Sequence, residues 1–348
     1  MRSTDRPARL VVAGAGLIGQ AHIQRILREP AAQLVGIVDI TEAAAEQASA
    51  LGVPFGGDLG RMFEQTRPDG VVIALPNREH FAAGMAAVRA GVAMLMEKPV
   101  CETVEQALEL TGASESAGVP VLVGHHRRHS PILRRAKEIV ASGRLGRITA
   151  VNAMCWLLKP AGYFEGRNAW RREAGGGPVL INLIHAIDDL RNLCGEIAAV
   201  QAMTSNAARG FAVEDTAGVT LRFANGAIGT ITLSDAAAGP WSWELTSGEN
   251  PAYPRAEESC YFVTGTEGAL SVPGLEFWHH ADWWSPLQRE RMFEPEAEGD
   301  PLVRQMRHFV DVAMGKADPV LDARGGAQTL RSTLAVLEAA VSGGTVLL

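Results

Sequence analysis

The chain has 348 residues, 47% hydrophobic and 20% charged, with 32 Lys and Arg against 39 Asp and Glu for a formal net charge of −7. That is an ordinary soluble, globular balance, long enough for two cores, and its mild acidity argues against nucleic acid or an anionic membrane as the main partner. No apolar run approaches the length of about eighteen residues that spans a bilayer. Residues 10–19 follow three arginines but are rich in Gly, and no small-residue cleavage site follows, so they do not read as a secretion signal. The four cysteines (Cys101, Cys155, Cys194, Cys260) are scattered with no Cys-x-x-Cys pair. Neither a zinc ribbon nor a disulfide framework is supported, and a reducing cytoplasm is the expected location.

Up to about residue 124, short apolar runs alternate with amphipathic stretches. The runs at 9–13, 34–38, 70–75, 92–96 and 119–123 are apolar on successive residues, the pattern of strands buried on both faces of a parallel sheet. Residues 18–28, 42–50, 80–90 and 104–117 read as the helices between them, so the expected fold is a doubly wound α/β sheet. After residue 150 the texture changes. Residues 219–223 and 227–233 flank Asn225-Gly226, a hairpin signal, and 148–156, 200–204, 261–264 and 270–272 also read as strands. This half is expected to be a mostly antiparallel sheet with a few helices, in the α+β style. Residues 236–258 read as a long loop, and 301–314 and 325–342 as closing helices. The expected division is 1–124 and 125–348.

The first chemical feature is Gly14-Ala15-Gly16-Leu17-Ile18-Gly19, which ends a strand and opens a helix. Gly14 permits a tight turn, Gly16 lets backbone approach a pyrophosphate, and Gly19 lets helix pack on strand, while the helix N-terminus offers free N–H groups to phosphates. Asp39 stands twenty residues beyond Gly19, at the end of the second strand, where its carboxylate would bind ribose hydroxyls and repel a 2′-phosphate. NAD is therefore favoured over NADP. Leu75-Pro76-Asn77-Arg78-Glu79-His80 and Glu97-Lys98-Pro99 each follow a buried strand, at the sheet edge where ligands of open α/β folds sit. Leu75, Pro76, Asn77, His80, Glu97 and Lys98 are accordingly read as cofactor contacts, although Asn77 could cap a helix and His80 could be a packing residue. Later in the chain, Gly175-Gly176-Gly177-Pro178 opens a helix on which Asn182 and His185 stand three apart and share a face. A buried, hydrogen-bonded histidine is the alternative reading of His185.

Taken in order, Gly14–Gly19, Asp39, Leu75-Pro76-Asn77 with His80, Glu97-Lys98-Pro99, and the glycine run with Asn182 and His185 resemble the Gfo/Idh/MocA family of NAD(P)-dependent oxidoreductases. The resemblance covers nearly the whole chain. It implies a Rossmann domain followed by an α/β domain whose open sheet makes dimers or tetramers. It also implies hydride exchange between nicotinamide and a secondary alcohol or carbonyl of a sugar, an inositol or a related ring. The lysine of the family's Glu-Lys-Pro motif matches Lys98, and the histidine of its Asp-x-x-x-His helix motif matches His185. Asn182 stands three residues before that histidine, so the usual carboxylate is missing, and Asp188 or Asp189 could supply the lost charge.

On this reading His185 is the general acid/base, Lys98 stabilises alkoxide charge, and Asn182 meets a substrate hydroxyl. The family's pocket is lined by the segment that holds His126, Arg127 and Arg128 here. Lys159 and Arg171, near Trp156, add further cations. Either they converge on an anionic substrate, or they pair with acidic neighbours and cofactor phosphates. His125, His126 and His129 lack a matched Cys or carboxylate set, so no metal is expected. The Trp-rich stretch 277–284 reads as a loop or a contact between subunits. Two other readings compete with a dehydrogenase: a glycosidase of the same family that uses NAD transiently, and a non-catalytic NAD-binding regulator.

Overall fold

Five short runs rich in Val, Ile, Leu, Met and Ala, with the two-residue strand Phe55–Gly56 at one edge, pair side by side, all parallel, in the first half of the chain. The computed structural model describes residues 6–292 and 300–348. The strands are β1 (Ala8–Ala13), β2 (Ala32–Val38), β3 (Phe55–Gly56), β4 (Gly70–Ile73), β5 (Ala93–Met96) and β6 (Val121–Val123), in the spatial order β3-β2-β1-β4-β5-β6. Between them run α1 (Leu17–Arg28), α2 (Glu42–Leu51), α3 (Leu59–Thr66), α4 (Asn77–Ala90) and α5 (Val104–Ala117). β4 and β5 are buried at every residue, which explains their unbroken apolar runs. The strand order reverses direction at β1 and β4, so the loops leaving these two strands diverge and open a crevice at their carboxyl ends.

The expected strands and helices are present, with shifted ends. The run expected to reach residue 75 stops at Ile73, and the helix expected from 80 begins at Asn77. β3 and α3 were not foreseen. α3 is announced by Asp58, whose carboxylate accepts the Arg61 N–H at 2.9 Å, and its buried face is Met62, Phe63 and Thr66.

The chain forms two units, 1–126 with 301–330, and 127–300 with 331–348. The first unit therefore recruits part of the tail. Met306, Phe309 and Val310 of α9 (Pro301–Ala313) join Leu10, Val12, Ile23 and Leu34 in its core. Gly70 leaves the gap that the Phe309 ring fills. The Val123 N–H donates to the Leu321 carbonyl at 2.9 Å, extending the β6 edge.

The second unit is built on a nine-stranded sheet. Its strands are β7 (Ile148–Trp156), β8 (Ile197–Ser205), β9 (Thr216–Phe223), β10 (Ile228–Ser234), β11 (Tyr261–Gly265), β12 (Ala269–Val272), β13 (Glu276–His279), β14 (Gln288–Arg291) and β15 (Val346–Leu347). Their order is β14-β13-β12-β11-β7-β10-β9-β8-β15. Every pairing is antiparallel except β7 with β10. β9 alternates exposed and buried residues throughout, and Asn225-Gly226 turns it into β10 as expected. The buried face packs on α6 (Pro131–Ala141), α7 (Ile184–Cys194) and the last part of α10 (Ala323–Ser342). α6 was not foreseen, and the supposed loop 236–258 contains a short helix, α8 (Trp243–Thr246). Among the described residues no helix is long and apolar enough to cross a membrane.

Candidate active site

The cofactor motifs of the first unit sit at the carboxyl ends of four adjacent strands: Asp39 after β2, the glycine motif after β1, Leu75–His80 after β4 and Glu97-Lys98 after β5. Gly14 has φ +90°, and a Cβ there would overlap the Ala74 carbonyl. A Cβ on Gly19 would overlap the Gly14 carbonyl, so this glycine sets how closely α1 packs. Gly16 differs, because a Cβ there would meet nothing within 4 Å. It is the residue that leaves room for something outside the chain. α1 starts at this point with no side-chain cap and no acid in its first turn, with Leu17 81% exposed and Ile18 half-buried. These features fit a dinucleotide, with its pyrophosphate at the α1 N-terminus.

Asp39 is held in place by the same loop. Oδ2 accepts the Ala15 N–H at 2.7 Å, and Oδ1 accepts the N–H groups of Ile40 and Thr41 and the Thr41 hydroxyl. Burial works against its charge, but these hydrogen bonds hold its carboxyl below the usual carboxylate range. A charged carboxylate at this strand end is the chemistry that suits ribose hydroxyls and disfavours a 2′-phosphate.

Two residues expected at the cofactor make internal hydrogen bonds. His80 is buried, and its ring bridges two loops, with Nδ1 2.8 Å from the Pro99 carbonyl and Nε2 2.8 Å from the Leu75 carbonyl. Glu97 is buried against Gly124, and its Oε1 lies 2.8 Å from His22 Nε2. Burial disfavours the Glu97 charge, but the His22 hydrogen bond and the charges of His22, Lys98 and His126 hold its carboxyl below the usual range. Both residues fix the backbone around Lys98, which is half-buried and joined to Pro99 by a cis bond. Reading missed His22. Its place among the buried residues of α1 (Gly19, Ile23, Ile26) was the available signal, since a histidine there needs a polar partner.

In the second unit the glycine run is a matter of space. A Cβ on Gly177 would overlap the Glu214 carboxylate, which accepts the Val179 N–H at 2.9 Å. The following segment, Val179–Leu183, is a π-turn, and the Ile184 N–H reaches back five residues to the Val179 carbonyl. Single π-turns of this kind recur at functional sites. This wider turn lies between Asn182 and His185, where the expected regular helix would have run. Asn182 is half-buried and His185 is 8% exposed.

Asp188 and Asp189, either of which could supply charge near His185, are both engaged by arginines. Arg128 Nε donates to Asp188 at 2.7 Å, and Arg127 Nη1 donates to Asp189 at 2.9 Å. Arg127 also reaches Glu244 at 2.5 Å and the Tyr261 hydroxyl at 3.0 Å, beside the Trp243 ring. Burial opposes its charge, and Glu244, Tyr261 and Asp189 more than restore it. Arg127 and Arg128, expected at substrate, are each held in ion pairs within the unit. His126 is half-buried just past β6.

Trp156 shares the exposed face of the sheet with Asn152, and its Nε1 donates to Thr232 Oγ1 at 3.1 Å, whereas α7 packs on the opposite face. Lys159 and Arg171 fall together around Tyr163, with Lys159 Nζ 4.9 Å and Arg171 Cζ 3.9 Å from its ring centroid. Trp283 and Trp284 are 82% and 90% exposed, in the connection between β13 and β14.

Comparison with known proteins gives two family matches. Residues 8–125 match the oxidoreductase family with an NAD-binding Rossmann fold, and residues 133–271 match the GFO/IDH/MocA C-terminal domain. The chain is similar to 1,5-anhydro-D-fructose reductase of Ensifer adhaerens, 28% identical over 340 residues, 94% of this chain and 96% of that one. It is 25% identical to D-glucoside 3-dehydrogenase of Escherichia coli K12, over 99% of this chain and 98% of that one. Among solved structures, the WlbA dehydrogenase of Bordetella pertussis, in complex with NADH and UDP-GlcNAcA, superposes with a TM-score of 0.80 at 26% identity, covering 99% of each chain.

Proposed function

The chain belongs to the Gfo/Idh/MocA family of NAD(P)-dependent oxidoreductases, and from that premise we propose which of its residues carry the reaction and on what substrate. It is an oxidoreductase acting on CH–OH groups or the corresponding carbonyls of small polyhydroxylated molecules. The proposed substrate is a sugar, an inositol or a sugar acid. WlbA, whose structure contains a sugar acid nucleotide, supports extending the range to acids.

Gly14, Gly16, Leu17, Ile18, Gly19 and Asp39 would hold the dinucleotide, with Leu75, Pro76 and Asn77 on the neighbouring strand end. When bound, its nicotinamide supplies a hydride acceptor in one direction and a donor in the other. The chain's own residues handle the proton and the charge. His185 takes the hydroxyl proton during oxidation and returns it during reduction, a role suited to an imidazole near neutral pH. The Lys98 ammonium stabilises charge that develops on the substrate oxygen and polarises a carbonyl in the reverse direction. Asn182, His126, Lys159 and Arg171 orient the substrate. The observation that carries this reading is the row of four strand ends bearing the glycine motif, Asp39, Leu75-Pro76-Asn77 and Glu97-Lys98-Pro99.

The division of labour follows: 1–124 for the nucleotide, 125–348 for substrate and subunit contacts. A cytoplasmic homodimer or homotetramer is the proposed form. The test is turnover of NAD and NADP with a panel of inositols, sugars, glycosides and sugar acids, followed by nicotinamide absorbance. Net NADH formation with one of them supports the proposal. Glycoside cleavage without net NADH would transfer the chain to the glycosidase reading, and a Lys98→Ala or His185→Ala protein with full biological activity would favour the regulator.

A further inference from the structure

We propose that the second unit holds a carboxylate seat, formed by Lys159, Arg171 and Tyr253 around the Tyr163 ring, that selects sugar acids over neutral sugars. This deepens the substrate reading above and rests on it. Lys159 is 6% exposed. Its Nζ donates to the Tyr253 hydroxyl oxygen at 3.0 Å and lies 4.9 Å and 5.3 Å from the Tyr163 and Tyr253 ring centroids. Arg171 packs on Tyr163 from 3.9 Å and donates from Nη1 to the Tyr163 carbonyl at 2.9 Å, while its buried Nε makes no hydrogen bond. Two cations therefore share one aromatic ring, both within reach of a single sugar-sized molecule.

What sets the pair apart is charge balance. Buried cations are normally paired. The two fully buried arginines of this unit follow that rule, Arg127 with Asp189 and Glu244 and Arg191 with Glu196, and the partly buried Arg209 has Asp235, whereas Arg172, next to Arg171, lies on the Phe211 ring. Lys159 and Arg171 have no carboxylate within 4.0 Å among the described residues. The nearby acids are already engaged. Asp235 accepts from Arg209 Nε at 2.6 Å, and Asp215 accepts the N–H groups of Ala208 and Arg209.

An ammonium has three donors, of which Lys159 uses one on the chain. Because Tyr253 accepts from Lys159, its own O–H is left to donate outward. A carboxylate satisfies this set, since it offers two acceptor oxygens and a negative charge to an ammonium, a guanidinium and a phenol. A sugar hydroxyl brings no charge and leaves the imbalance in place.

The experiment is calorimetric titration of the NAD-loaded, full-length protein with D-glucuronate, D-galacturonate and L-tartrate, each against its neutral counterpart (D-glucose, D-galactose, threitol). The wild type is expected to bind at least one acid more tightly than its neutral partner. Lys159→Met and Arg171→Gln are each expected to weaken that acid by about tenfold to a hundredfold, the worth of a hydrogen bond to a charged group. Arg171 is the less buried of the two, so its variant keeps the test available if Lys159→Met does not fold. Acids that bind no better than neutral sugars would overturn the seat, as would variants that bind acid like the wild type. The titration needs no turnover, so failure of the dehydrogenase reading would be seen separately in the substrate panel.

Discussion

Lys98 owes its position to its neighbours. Glu97 beside it is fixed by His22 of α1, and the Pro99 carbonyl after it meets the His80 ring. His80→Leu would remove the N–H that the buried ring donates to one of the Leu75 and Pro99 carbonyls, an expected loss of about 1–3 kcal/mol measurable by urea unfolding. His185→Ala is expected to lower kcat by about 10²–10⁴-fold while NAD still binds, read by steady-state kinetics beside an NAD titration. At this scale the sequence was only partly legible. Glycine spacing and Asp39 announced themselves, because each is bound to a local turn or strand end. Apart from Leu75, five residues before His80, the partners of His80, Glu97, Arg127 and Arg128 were not legible, since they lie 19 to 134 residues away in sequence. A charged side chain carries no local mark of whether it faces substrate or a distant carboxylate.

At the scale of elements, the glycine loop and the buried acids behave differently from what composition alone suggests. Gly14→Val should destabilise the fold, because it adds a side chain at φ +90° against the Ala74 backbone. Gly16→Val should leave the melting temperature nearly unchanged and weaken NAD, because its side chain enters open space. Melting curves and NAD titrations on both variants separate the two roles. Glu249 ties α8 to the start of α6, accepting from the Trp243 indole at 3.1 Å and the Ser130 hydroxyl at 2.5 Å. Burial pushes its carboxyl from 4.5 up to about 7. Folded protein then binds more protons than unfolded protein in that window, so this group's contribution to stability declines as pH rises through it. Glu249→Gln should abolish that decline, visible as stability against pH. Burial likewise pushes Asp189 up to about 6, against the pull of Arg127. Strands buried on both faces and the Asn225-Gly226 hairpin were readable from periodicity. α6 was overlooked although Ser130-Pro131 begins it with a cap and Ile132, Leu133, Ala136 and Ile139 line its buried face. The π-turn left no trace in the sequence, because one widened turn does not alter the apolar pattern.

At the scale of the whole molecule, the chain crosses between its two units more than once. The tail helix α9 returns to the first sheet because Phe309 and its neighbours complete a core that the first half leaves open at Gly70. An amphipathic helix gives no indication of which sheet it will cover, which is why reading from sequence ran the second half unbroken to the end. The exposed face of the large sheet presents Met203, Thr220, Thr230, Asn152 and Phe262 along its strands. If that face joins subunits as proposed, Met203→Asp with Phe262→Asp should shift the sedimentation coefficient to that of a monomer, and an unchanged value would exclude it. The reaction itself is best followed with NADH carrying deuterium at the nicotinamide C4, incubated with keto-sugars, keto-inositols and keto-acids of sugars and analysed by mass spectrometry. The expected result is a single deuterium at the new carbinol carbon of one product, lost in Lys98→Ala and His185→Ala. Deuterium retained on the dinucleotide with every acceptor, from either C4 face and with NADPH as well, would contradict a hydride-transferring role for this chain.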